Sequence, residues 1–464
     1  MATISSAGIG SGLDVESLVT KLMAVEQRPV TQLQTQATAI QTKISAFGQL
    51  QSTLSTFRDA ALKLTQASTW GVTTAASSDP AAVKVSTTSG AVAGSYAVRV
   101  DSLAASESAV TKTFSSTDLM GEGTLRVEIG SLGQAGFAPQ PNLAAMNIDI
   151  SATDTLTTVR EKINAAGAGV SAVIVNDATG MRLVISSTNP GAANVFKITS
   201  SGNADLSYDP EQAGGGMTRS QQAADAHLNV NGVDILSSSN TLSDTIQGMT
   251  INLLKPTTGA VQVGVTQDTD SVKASIQSFV DAYNGLANML ATQTKYDDAT
   301  KTAGKLQGDS TAVSLQRQLR NALGGLTGAS SVFSTVNDVG LTTQSNGTIK
   351  VDDAKLSTAL GKMGELKMLF ANVNTTDSTK NGVAQRLRLF GDTVLGTDGA
   401  LSTRTSGLST SLSVNQKQQD ALTARLALTE KRLRAQYTSL DTSMSKLTAL
   451  NTYITNQVAQ WNKA

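Results

Sequence analysis

The sequence predicts an α+β protein with long coiled-coil helices at both ends, a mostly helical mixed domain and inserted β-rich domains. Three observations predict it. Apolar residues recur every seven positions near both termini, the repeat of a helix that packs along a partner. Between about residues 75 and 266 they alternate at every second position, the repeat of a half-buried strand. The chain has 464 residues, 40% of them hydrophobic, which suffices for about three domains with cores of their own.

The first element opens on Gly8-Ile9-Gly10-Ser11-Gly12. Ser11 followed by Asp14 fits a capping box. Leu13, Leu18, Val19, Leu22 and Val25 then sit at helical spacing. Arg28-Pro29 interrupts this helix, because the residue before a proline avoids the α region. In the next helix Leu33, Ile40, Phe47, Leu54 and Ala61 form one column. Ala37 and Ile44 follow its members by four residues. Past Phe47 the companions are Leu50, Phe57 and Leu64, three residues after, so the apolar seam widens and changes side. Residues 1–70 are read as a helical leg that pairs with residues 405–464.

Residues 71–110 with 225–270 read as one β-rich domain, and residues 111–224 as a second inserted into it. Val83 and Val85 alternate, as do Tyr96, Val98 and Val100. A short helix carries Leu156, Val159 and Ile163 on one face, with Asp154 as its expected cap. Asn231-Gly232 between Leu228/Val230 and Val233/Ile235 is the pattern of a two-residue hairpin turn. Gly214-Gly215-Gly216 marks a loop or a domain crossing.

Residues 271–404 read as the mixed, mainly helical domain. Val272, Ile276, Phe279, Val280, Tyr283, Leu286 and Leu290 give an amphipathic helix. A second runs from a cap at Asp309 or Ser310 to Gly324-Gly325. Asn346-Gly347 suggests a hairpin, Asp352 or Asp353 a cap, and Val383, Leu387, Phe390 and Val394 a further helix.

The last helix has the clearest repeat. Leu426, Leu433, Leu440, Leu447, Ile454 and Trp461 form one column; Thr423, Glu430, Tyr437, Met444, Asn451 and Val458 form the second. No proline or glycine occurs between Ser413 and Trp461, so that stretch alone makes a helix of about 70 Å. Polar residues in a seam weaken helix pairing while fixing its register. Helices owe most of their stability to packing. Both ends are therefore expected to order fully only when other copies or a foreign lattice bury them.

Composition narrows the function. Lys and Arg number 36 and Asp and Glu 36, with only 16% of residues charged, so nothing draws the chain to nucleic acid. There is no cysteine and one histidine, His227, which leaves out disulfides, thiolate chemistry and most zinc or triad sites. No stretch approaches the ~20 apolar residues of a membrane span. Gly8, Gly10 and Gly12 lack the Lys-Ser/Thr pair of a phosphate loop. Asp268-Thr269-Asp270 fails as a calcium loop, since Lys273 and Phe279 stand where glycine and glutamate belong. No catalytic, cofactor or metal site is expected, and Arg425, Lys431, Arg432 and Arg434 read as a solvated helix face. The residues proposed for self-assembly and docking are the seam itself: Leu33, Ile40, Ile44, Phe47, Leu54, Leu426, Leu433, Tyr437, Leu440, Met444, Leu447, Ile454, Val458 and Trp461.

Gly8 to Asp14 with Leu18-Val19 and Glu26-Gln27-Arg28-Pro29, then Ser278 to Asn284, Gly308-Asp309-Ser310, Val339-Gly340-Leu341 and Gly347 to Asp352, are segments with a shared likeness. Together they resemble the flagellar filament cap family, also called hook-associated protein 2. Asp154-Thr155-Leu156 through Ile163-Asn164-Ala165-Ala166, with Val170-Ser171-Ala172, is similar to the repeat inserted in flagellin-related axial proteins. The resemblance covers nearly the whole chain. It implies export through the flagellar type III channel without a cleaved signal, and a place outside the cell at the distal tip of the flagellum. It also implies a ring of roughly five copies with legs docked in the filament. Newly exported flagellin would fold and insert beneath the plate. The implied partners are the chain itself, flagellin, the hook–filament junction proteins and an export chaperone.

Three other readings compete. The β-rich plate is expected to bind mucin or a host surface if the chain is an adhesin. A flagellin or junction protein would share the axial class. A coiled-coil enzyme would lack the usual catalytic residues.

Overall fold

The computed structural model describes residues 14–88, 90–212 and 216–462. The glycine run, Ser11 and Leu13 lie outside the described residues, as do Gly214 and Gly215. The chain forms two compact units, one of Met1–Ala67 with Lys273–Ala464 and one of Ser68–Val272.

Helix α1 (Val15–Glu26) starts at Asp14, whose carboxylate accepts the Ser17 N–H at 2.9 Å. Pro29 stands in the first turn of α2 (Arg28–Thr65), where a missing N–H costs no hydrogen bond. The two halves of α2 behave differently. Phe47, Leu50, Leu54, Phe57, Ala61 and Leu64 are fully buried, because the widened seam past Phe47 presents a broad apolar face to the body of its unit. Leu33, Ile40 and Ile44 are only half-buried. The expectation that the whole end orders only with neighbours is therefore corrected: residues 46–64 belong to the chain's own core.

In the Ser68–Val272 unit, one sheet runs in the order Thr73–Ser77, Val261–Gln267, Gly94–Ser102, Ala226–Val230, Val233–Ser237. A second runs Thr241–Ile246, Met249–Leu253, Val83–Thr87. Val83, Val98, Val100, Leu228, Ile251 and Val263 lie in their common core. Asn231 and Gly232 take φ of 48° and 89° and join two paired strands, the left-handed turn their sequence asks for. A separate core holds Leu125, Ile148, Val159, Ile163, Ile185 and Phe196, from two further sheets and α3 (Leu156–Ala166). Asp154 does not cap α3. Thr155 occupies that position, and Asp154 lies one residue too early, where it accepts from Ser151 N–H and pairs with Lys162.

The chain then returns to the first unit in α4 (Thr269–Thr294). Phe279 and Tyr283 of α4 each place their rings 5.8 Å from Phe57, and Phe370 lies 6.2 Å from Phe279. The same unit holds α5 (Ser310–Gly324), α6 (Asp353–Leu360), α7 (Met363–Ala371), which carries Phe370, and α8 (Val383–Leu395). Asp309 caps α5 and Asp352 caps α6. Asn346-Gly347 joins the short strands Leu341–Thr343 and Ile349–Val351. The last helix, α9 (Ala400–Trp461), is unbroken for 62 residues, about 93 Å at 1.5 Å per residue. It starts earlier than its proline- and glycine-free stretch indicates and runs through Gly407.

Candidate docking surface

The candidate surface lies along α9, and its partners change from one end to the other. At the root, Leu401, Leu408 and Asn415 are buried. Leu412 and Gln416 then share a shallow cleft of about 440 Å³ with Ala37, Thr38, Gln41, Thr42 and Ser45 of α2. Further out, Thr423, Leu426, Ala427 and Glu430 line a cleft of about 370 Å³ with Met23, Gln27, Val30, Thr31 and Gln34. Residue numbers rise on one helix as they fall on the other, so the pair is antiparallel. Its middle is polar: Gln419 donates to the buried Asn415 at 2.6 Å.

Beyond this point α1 replaces α2. Val15, Val19 and Met23 bury themselves against Leu426, Leu433 and Tyr437. Arg434 holds the two helices in register, donating to Glu16 at 2.8 Å and to Glu430 at 2.9 Å. The Glu16 hydrogen bond raises the Arg434 pKa, and the Arg434 hydrogen bond lowers that of Glu16. All three carboxylate and guanidinium groups are solvated, so salt screens the arrangement. Arg425, Lys431 and Arg432 face solvent, as the sequence implied.

Past Tyr437 the stripe is exposed among the described residues. Leu447 is 60% exposed, Ile454 50% and Trp461 75%, and Leu440, Met444 and Val458 are exposed too. Leu450 and Tyr453 widen the same stripe and lie outside the two heptad columns. Their positions, three residues after Leu447 and Leu450, are the signal that would have found them. Two sequence-proposed residues fall away. Phe47 and Leu54 are 1% and 2% exposed inside their unit's core and have no surface to offer. Leu33, Ile40 and Ile44 flank the α2–α9 contact, half-buried.

Other candidate groups are ordinary. His227 lies at the surface with Nδ1 3.6 Å from Asp101. Among the described residues no cluster of three metal-ligating side chains occurs, and no helix is long and apolar enough to cross a membrane.

Comparison with known proteins decides the family. Models of the flagellar hook-associated protein 2 N-terminus and C-terminus match residues 11–107 and 223–449, and that of the flagellin hook IN motif matches 138–189. Flagellar hook-associated protein 2 of Escherichia coli K12 is 34% identical over 475 residues, covering 98% of both chains. The chain belongs to the flagellar hook-associated protein 2 family. The Salmonella typhimurium member is 33% identical over the full length of both chains. Among solved structures, the D1-D2-D3 domains of the flagellar cap protein FliD from Escherichia coli superpose with a TM-score of 0.65 at 31% identity. That match covers 78% of this chain and 99% of the other. A structural role in capping the flagellar filament thus holds for this hook-associated protein, and the adhesin reading finds no support in these relatives.

Proposed function

We propose that the bare stripe from Leu440 to Trp461 is the seam through which this cap protein docks into the filament and meets its own copies. The observation that carries the reading is continuity. The covered part, through Leu426, Leu433 and Tyr437, and the bare part belong to one seam of one helix. Burying each large apolar side chain is worth about 1.5–3 kcal/mol. A helix from the filament or from another protomer that covers four of them supplies a substantial docking energy. The polar stretch around Asn415 and Gln419 keeps the chain's own pairing from becoming a permanent zipper.

In this reading the protein sits outside the cell at the distal tip. A closed ring of roughly five copies grips the filament by its legs while exported flagellin folds and inserts beneath the β-rich unit. A rotational ring of this kind uses two different faces of each copy. An export chaperone and the hook–filament junction proteins are its further partners. No covalent chemistry and no cofactor enters.

Replacing Leu447 and Ile454 together by Glu provides the experiment. Both side chains are exposed, so the free protein should keep its helix content and melting temperature. Cells carrying only this variant should leak unpolymerised flagellin and lose at least ten-fold in filament length. Normal filaments would refute the reading.

A further inference from the structure

We infer that Arg404 and Asp309 form a positioning pair that sets the direction in which α9 leaves the body of its unit. The inference rests on the docking role of the distal α9 stripe.

The Asp309 side chain is fully buried. One oxygen accepts the Thr311 and Ala312 N–H groups at 3.0 and 3.4 Å and so caps α5. The other accepts both Nε and Nη2 of Arg404, at 3.0 and 2.7 Å. Two donors of one rigid guanidinium thus converge on a carboxylate that the α5 N-terminus holds by its other oxygen. A lysine ammonium brings the same charge but a single swivelling donor.

Apolar burial at the root of α9 is small, although α2 and then α1 pack along the helix as far as Tyr437. Only Leu401 and Leu408 bury apolar side chains at its root, whereas α2 buries seven residues in the same unit. The α2–α9 contact that follows is polar, with a cleft lined by Thr38, Gln41 and Gln416 and the buried Asn415 beside it in sequence. A helix pair of that kind fixes a line of contact more firmly than a rotation about it. Length amplifies any error. From Arg404 to Trp461 is about 85 Å, so a tilt of about 10° in the leg that α9 forms with α2 and α1 displaces the tip by about 15 Å, more than a helix diameter. A docking stripe misplaced by that much meets the wrong neighbour.

The absence of cysteine makes the experiment direct. Spin labels on Ser357→Cys and Ala424→Cys, both exposed, report the distance between α6 and α9 in the full chain. Arg404→Lys should at least double the width of the distance distribution and shorten filaments several-fold in cells, with the melting temperature little changed. Leu408→Ala should lower the melting temperature and leave the distribution narrow. If Arg404→Ala does not fold, Arg404→Lys carries the comparison alone. An unchanged distribution in Arg404→Lys overturns the inference, and so does a broadened one with filaments of normal length. The docking reading fails separately: Leu447→Glu with Ile454→Glu keeps the distribution narrow, and normal growth of that variant contradicts docking alone.

Discussion

Single residues show where this charge-poor chain uses its few charges. Glu107 is fully buried between the incoming and outgoing segments of the inserted β core. It accepts from Arg219 at 2.8 Å, from the Ala223 N–H at 2.7 Å and from the Tyr208 hydroxyl. Burial, then the Glu107 hydrogen bond, pushes the Tyr208 phenol up, so it stays a donor. Asp154 works nearer the surface. Its hydrogen bonds from Lys162 and Ser151 pull its pKa from 3.8 to about 2. A carboxylate whose folded pKa is depressed stabilises the fold above its unfolded value and loses that contribution as pH falls through the folded one. The Ser68–Val272 unit should therefore lose stability between about pH 4 and pH 2. Asp154→Asn should flatten that part of the curve, as read by the fluorescence of the buried Trp70. An unaltered acid curve would mean that Asp154 contributes nothing.

At the scale of elements, two glycines in helices make opposite predictions. A Cβ on Gly391 of α8 would stand 2.8 Å from the Cβ of Arg58, so α2 and α8 touch there backbone to side chain. Gly391→Ala should cost about 1–3 kcal/mol through overpacking, despite its better helix propensity. Gly407 of α9 has nothing within 4 Å, and Gly407→Ala should stabilise by up to about 1 kcal/mol. Urea unfolding of both variants checks the pair; equal signs would contradict the packing described. Much of the element structure was legible beforehand. The heptads of α2 and α9, the hairpins at Asn231 and Asn346 and the caps at Asp309 and Asp352 are local signals that local physics decides. What stayed hidden depends on neighbours. The packed column of α9 passes from Leu408, Asn415 and Leu422 to Leu426, Leu433 and Tyr437 where α1 takes over from α2. No periodicity states which helix lies opposite. Phe47 and Leu54 carry the same heptad mark as Leu33, yet only the fold shows that they serve a core. The Glu107–Arg219 pair joins residues 112 positions apart, and the Arg404–Asp309 pair 95.

For the whole molecule, a family role in capping the flagellar filament gives a meaning to the bare end of a helix about 93 Å long. A protein that leaves eight large apolar side chains exposed along one helix end presents a contact surface. A cap has the filament to present it to. In the same helix the apolar stripe packs against α1 as far as Tyr437 and is exposed beyond it, and the proposed docking uses the exposed part. Hydrogen exchange followed peptide by peptide along α9 separates those halves. In the free protein, residues 441–461 should exchange far faster than residues 401–437. At filament tips the distal segment should become protected at least a hundred-fold while the proximal segment changes little. Equal protection of the distal segment in the free and the tip-bound protein would contradict docking through α9.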